Sequence, residues 1–217
     1  MDPSVPTNER GLTKTRIEAL CDGVFAIAMT LMIFNIRVPE VPGDLVRTRL
    51  APILFSLWPQ FLVYAISFVM LGVYWVGHHN QYHYIRRTNR LLLWINVAFL
   101  LCVTLVPFST ALLGRYPTEQ IAVVVYAVNL ILVGIILLVH WRYAVSRRGL
   151  VDSDLAPDLV KQASRRILLA PAILVLAVAF SFLNTIVSLA LFAIIPAVYI
   201  LPGRIDRHWK PSHQGRD

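Results

Sequence analysis

The sequence predicts an all-α integral membrane protein of six transmembrane helices in a single repeat, with N- and C-termini cytoplasmic. Three observations predict it. Of the 217 residues, 57% are hydrophobic and only 15% are charged, against roughly 25% charged in an ordinary soluble domain. The charge deficit is concentrated in long apolar runs: Arg90 and Arg115 bracket 24 uncharged residues, Glu119 and Arg142 bracket 22, Arg49 and Arg86 bracket 36, and Arg166 and Arg204 bracket 37. A membrane-spanning helix needs about 20 apolar residues, and a soluble core of this size needs no such runs. The third observation is the placement of the basic residues. With six spans and a cytoplasmic N-terminus, Arg10, Lys14, Arg16, Arg86, Arg87, Arg90, Arg142, Arg147, Arg148, Lys161, Arg165, Arg166, Arg204, Arg207, Lys210 and Arg216 fall on the cytoplasmic side. Only Arg37, Arg47, Arg49 and Arg115 fall on the other. This is the positive-inside pattern, and five spans would break it by placing the basic C-terminal tail outside.

The elements follow in order. Residues 1–13 read as a polar cytoplasmic tail, 14–204 as the six-helix domain, and 205–217 as a second cytoplasmic tail. Helix one covers about residues 15–37 and ends at Pro39 and Pro42; it is long enough to stay in the bilayer as a signal anchor. Residues 44–50 form a short connection. Helix two covers about 52–77, and its polar extension His78 to His83 continues it out of the membrane. Arg86, Arg87 and Arg90 form a basic turn. Helix three covers 91–113 with a kink at Pro107, and helix four covers 119–141. A long polar loop spans 142–166. The last apolar block, 167–203, is long for one span and slightly short for two; it divides at Ser181 to Asn184 into two short helices. Trp58, Trp75, Trp94, Trp141 and Trp209 lie near span ends, as interfacial anchors do.

The formal net charge of +8 is explained by this topology, because the basic residues sit between spans; no nucleic-acid partner is expected. Cys21 and Cys102 both fall inside spans and imply no disulfide. No Ser-His-Asp set, Gly-rich phosphate loop or paired catalytic carboxylate is visible, so the chain does not read as an enzyme. His78, His79 and His83 share a helix end, but no Cys lies nearby and three arginines follow. Hydrogen bonding to helix one or an interfacial pH effect explains them better than a metal site, and no cofactor is expected.

Helix one carries the most information. Arg16, Glu18 and Asp22 sit at or inside its start, where an ionisable group costs several kcal/mol unless paired or hydrated. Asp22 therefore needs a partner: Arg16, the indole N–H of Trp75, His78 or Asn96. At 100° per residue, Gly23, Ile27, Thr30, Leu31 and Phe34 fall within one narrow sector, and Asp22 projects roughly 140° away from Ile27. On pattern alone such a stripe is lipid-facing or core packing, and Asp22 a structural pin to helices two and three.

The run from Arg16 through Asp22, Arg-Ile-Glu-Ala-Leu-Cys-Asp, resembles the Arg-x-x-x-Phe-Ser-Asp signature of the lysosomal and bacterial potassium channel family known as transmembrane protein 175. Leu20 and Cys21 stand where the signature has Phe and Ser. The likeness continues through Gly-Val-Phe-Ala-Ile-Ala-Met-Thr from Gly23 to Thr30, Tyr-Trp-x-x-His-His from Tyr74 to His79, and Asn96 to Phe108 with its closing Val-Pro-Phe-Ser-Thr. It is good over the first half of the chain and only hydropathic afterwards.

The resemblance implies a potassium-permeable cation channel without the usual Thr-Val-Gly-Tyr-Gly filter, assembled as a homotetramer from single six-helix repeats in a bacterial plasma membrane. It implies that four copies of helix one line the pore. Ile27, Leu31 and Phe34 match the family's constricting aliphatic positions and Thr30 its pore threonine. Arg16, Asp22, Trp75, His78 and Asn96 form the motif's hydrogen-bond network. Potassium and other monovalent cations would be the permeant ligands. The alternative reading is a small proton- or cation-coupled secondary transporter using Asp22, against which the chain shows no convincing internal repeat.

Overall fold

The computed structural model describes residues 14–147, 149–152 and 155–200; the two tails predicted at 1–13 and 205–217, Trp209, and the basic residues Arg10, Arg148, Arg204, Arg207, Lys210 and Arg216 lie outside them. The regular secondary structure of the described residues is helical, apart from one isolated bridge. Helix α1 (Lys14–Leu31) tightens into a 3-10 turn at Met32–Asn35. Then come α2 (Val46–Ser56), α3 (Trp58–Tyr84), α4 (Arg90–Thr104), α5 (Val106–Arg115), α6 (Gln120–Ser146), α7 (Pro157–Ser181) and α8 (Thr185–Ile200). Five stretches are long and apolar enough to cross a bilayer, and α8 is a shorter apolar sixth.

Two of those stretches are broken by proline. Pro59 begins α3 and cannot donate to the carbonyl of Phe55, so α2 closes on a tight bond from the Leu57 amide to the Leu54 carbonyl, 3.1 Å, and α3 restarts. Pro107 does the same between α4 and α5, where the Leu105 amide turns to Cys102 at 3.3 Å. The kink expected at Pro107 is thus a true break.

Three expected boundaries change. The 44–50 connection is mostly helix, because Val46 to Leu50 join α2, which buries none of its residues. The loop expected over 142–166 is helical at both ends, α6 running to Ser146 and α7 starting at Pro157. Its ends are helical because α6 continues past Trp141, while Pro157 opens α7 at a position where its missing N–H costs nothing and Asp158 occupies the first turn. The last block does divide at Ser181 to Asn184, where the Asn184 side chain accepts from the Ile186 amide at 2.8 Å. Its first half is a 25-residue helix and not a short one.

The ends of the helices sort by charge. Ile85 pairs with Val151 as the isolated bridge, the Arg86 amide donates to the Leu150 carbonyl at 2.7 Å, and the Arg86 guanidinium meets Asp152 at 2.9 Å. Gly149, at φ 87°, takes the left-handed conformation that lets this loop double back. Asn89 accepts from the Leu92 amide at the start of α4 and donates to the Tyr143 hydroxyl on α6, both at 2.9 Å. The Tyr199 hydroxyl near the end of α8 donates to the Arg166 carbonyl of α7. The α3–α4 turn, the α6–α7 loop and the far end of α8 therefore share one basic face.

The core runs along α6. Its buried residues include Ala122, Val123, Tyr126, Ala127, Leu130, Val133 and Leu137, packed by α3, α4, α5 and α7. The closest approach is at Gly134, where a Cβ would sit 2.6 Å from Pro171 Cγ of α7. The Tyr74 hydroxyl of α3 donates to the adjacent Leu130 carbonyl at 2.9 Å. Trp141, expected as an interfacial anchor, is instead 1% exposed inside this core; Trp58 and Trp94 are exposed.

Candidate functional site

Helix α1 lies against α3, α4 and α5 with one face only. Ile17, Cys21, Phe25, Ala28 and Met32 are buried, spaced by three and four residues as one face of a helix requires. Phe25 packs on Phe99 of α4, with ring centroids 5.8 Å apart. The stripe singled out in the sequence lies on the uncovered side. Ile27 is 59% exposed, Leu31 48% and Phe34 76%, and Gly23 and Thr30 are exposed beside them. No charged residue interrupts this stripe between Gly23 and Phe34.

Thr30 is oriented by its own helix. Its hydroxyl donates back to the Ala26 carbonyl at 2.8 Å and to the Ile27 carbonyl at 3.1 Å. With the hydrogen committed, the oxygen of this exposed residue keeps only acceptor capacity. The 3-10 turn beyond it is anchored by Asn35, whose Nδ2 donates to the Pro107 carbonyl at 3.2 Å. Thr110 of α5 reaches Met32 Sδ at 3.6 Å.

The five residues expected to form one hydrogen-bond network divide into two groups and a remainder. His78 and Asn96 meet in the buried group, with Nε2 and Oδ1 2.9 Å apart. They meet there with Cys21: Asn96 Nδ2 donates to Sγ at 3.3 Å, and Sγ lies 3.6 Å from His78 Nε2. The His78 ring lies flat on Phe99, 5.2 Å between centroids and 3° between planes. Asp22 and Trp75 form the second group, on the exposed side of the same helices, with the indole N–H donating to the carboxylate at 2.8 Å. His79 stacks on Trp75 at 5.8 Å. Of the four partners open to Asp22, the indole is the one it takes. Arg16 is exposed and its side chain has no partner among the described residues; it sits 20° from Ile27 around the helix axis by its eleven-residue spacing, on the side of the stripe.

Cys21, noted in the sequence as standing where the signature has Ser but not counted among the site residues, belongs to the buried group. Its position was readable, since it falls between Ile17 and Phe25 on the apolar face. The resemblance puts His78 and Asn96 in one network; spacing alone cannot pair them, because they come from helices two and three of the sequence and meet only in the packed bundle. His83 stays at the surface, and the described residues contain no cluster of three metal-ligating side chains.

Fold and site together define a multi-pass helical membrane protein in which one helix is locked to the bundle on one face and bare along a charge-free stripe on another. Residues 16–107 match the family model described as endosomal/lysosomal potassium channel TMEM175. A protein of Chamaesiphon minutus named a potassium channel is 33% identical over 86% of this chain and 93% of its own length. One of Streptomyces collinus, likewise named a potassium channel, is 31% identical over 88% of this chain and 92% of its own. The crystal structure of a lysosomal potassium-selective channel TMEM175 homolog from Chamaesiphon minutus superposes with a TM-score of 0.75, at 33% identity, over 87% of this chain and 96% of that one. The chain belongs to the TMEM175 family of potassium channels, and it is a channel protein and not an enzyme.

Proposed function

We propose that this protein is a potassium-permeable cation channel of a bacterial plasma membrane, built from four subunits whose α1 helices surround the pore. The observation that carries the reading is the uncovered stripe Gly23, Ile27, Thr30, Leu31 and Phe34, on a helix whose opposite face is buried. A helix locked in that way holds its free face at a fixed orientation, as a pore wall must. The basic face of the bundle is the cytoplasmic one under the positive-inside rule.

Ile27 and Leu31 then form an apolar neck. An ion sheds water to pass such a neck, and the neck can also close by dewetting. Potassium surrenders its water more readily than sodium, so the neck favours potassium. Thr30, one turn beyond Ile27, offers an oxygen whose hydrogen is already committed to the helix, which suits it to contact a partly dehydrated cation. Phe34 stands at the outer end. Arg16 lies on the same side of α1, two turns inside Gly23, at the cytoplasmic mouth. Asp22 and Trp75 face sideways from the stripe and hold α1 to α3.

The test is a recording from purified protein in planar bilayers under opposed potassium and sodium gradients. Unitary currents reversing toward the potassium equilibrium potential support the reading. Slow, saturable flux without unitary events indicates a carrier working through Asp22 instead. Native mass measurement in parallel is expected to give four subunits.

A further inference from the structure

Two of the buried polar atoms without a hydrogen-bond partner among the described residues sit on neighbouring rings. His140 of α6 is 1% exposed and Tyr82 of α3 is fully buried. Neither His140 Nε2 nor the Tyr82 hydroxyl has a hydrogen-bond partner among the described residues. The two rings stack on one another across the α3–α6 contact, with centroids 5.5 Å apart and planes at 24°.

The other edge of His140 fixes what its orphaned nitrogen is. Nδ1 lies 2.8 Å from Gln81 Oε1. The far end of that amide is committed, because Gln81 Nε2 donates to the Leu137 carbonyl at 3.1 Å. Oε1 can therefore only accept, so Nδ1 carries the hydrogen, and a ring buried without a counter-charge, and so neutral, presents Nε2 as a bare lone pair. Tyr82 presents a hydrogen. A buried acceptor and a buried donor thus lie on stacked rings without reaching each other. Each is unfavourable if it stays unpaired, because a buried polar group that gives up water needs another partner in its place. Buried water typically settles where two to four polar groups can hold it.

We propose that an ordered water molecule is bound between α3 and α6, accepting the hydrogen of the Tyr82 hydroxyl and donating one of its own to His140 Nε2. This water completes a polar layer across the bundle. The His140 ring lies 5.7 Å from that of His78, and His78 in turn meets Asn96 of α4 and Cys21 of α1. The layer ties α1, α3, α4 and α6 together on the side of α1 away from the uncovered stripe, so the water is structural and stands apart from the ion path.

The test uses the full-length protein in lipid bilayers, with histidine labelled by nitrogen-15, and solid-state magnetic resonance. The expected result is a hydrogen on His140 Nδ1 and transfer of magnetisation from bound water to His140 Nε2, lost in Tyr82→Phe. Absence of that transfer in the unmodified protein overturns the proposal. Transfer that persists undiminished in Tyr82→Phe overturns it too, because the water would then not depend on the hydroxyl. If Tyr82→Phe does not fold, the measurement on the unmodified protein decides the matter alone. Channel activity enters neither outcome, so the result is independent of the pore assignment.

Discussion

Asn96 Nδ2 on α4 lies 3.3 Å from Cys21 Sγ on α1, so the inward anchor of the first helix is its cysteine, one residue before the aspartate. The pairing predicts a graded response. Cys21→Ser keeps a polar atom at a position that reaches both Asn96 and His78, and is expected to fold with equal or higher thermal stability. Cys21→Val fills the space and strips the polar atom, leaving the Asn96 N–H without its acceptor at a cost of about 1–3 kcal/mol. Melting curves of the two variants in detergent check this. Equal melting temperatures would show that the thiol contributes only volume.

The Asp22–Trp75 bond predicts an asymmetry between its partners. Trp75→Phe leaves a carboxylate without its one hydrogen-bond donor, whereas Asp22→Asn removes the charge and keeps an oxygen for the indole N–H. Trp75→Phe loses a charge-assisted hydrogen bond outright, whereas Asp22→Asn keeps a weaker neutral one. Trp75→Phe is therefore expected to lower the folded yield more than Asp22→Asn. The comparison is made by size-exclusion profiles at matched expression.

Two glycines separate structure from transport. At Gly134 an added Cβ meets the Pro171 ring at 2.6 Å, and a proline ring cannot swing aside. Gly134→Ala is expected to cost about 1–3 kcal/mol, as overpacking of a tight core does. At Gly23 nothing lies within 4 Å. Gly23→Ala is expected to leave the melting temperature unchanged or slightly raised and to alter conductance, since the methyl group enters the proposed pore wall. Thermal melts and single-channel conductance on the same two proteins check both halves.

The Arg86–Asp152 ion pair joins the α3–α4 turn to the α6–α7 loop with both side chains more than half exposed. Exposed pairs of this kind contribute about 0–1 kcal/mol. Asp152→Asn is expected to shift the melting temperature little, because the backbone bonds from Arg86 and Arg87 to the Leu150 carbonyl remain. A large loss would mean that the side-chain pair, and not the backbone bridge, closes that face.

Much of this arrangement is written in local chemistry. Uncharged runs mark the spans, Pro107 marks the break between α4 and α5, and Ser181 to Asn184 mark the turn before α8. The stripe from Ile27 to Phe34 is legible because helical spacing alone puts its members together. The ends of α6 and α7 are not legible, since Arg142 to Ser146 and Pro157 to Arg166 are polar and read as loop, although polar residues are good company for a helix that leaves the bilayer. The contrasting fates of Asp22 and Cys21 are also hidden. Charge draws attention to the aspartate, while the plain cysteine sits on the buried face and makes the longer-range contacts. Trp141 reads as an anchor by its place in the sequence and is drawn inside because α6 is enclosed by its neighbours.

The measurement that bears most directly on the central claim is the potassium-to-sodium permeability ratio, read from reversal potentials, for the unmodified channel, Ile27→Asn and Thr30→Ala. If the uncovered stripe of α1 is the ion path, Ile27→Asn hydrates the neck and lowers the ratio, and Thr30→Ala changes the ratio or the conductance. Unaltered reversal potentials and currents in both variants, with both proteins folded, would contradict the account and remove α1 from the pore.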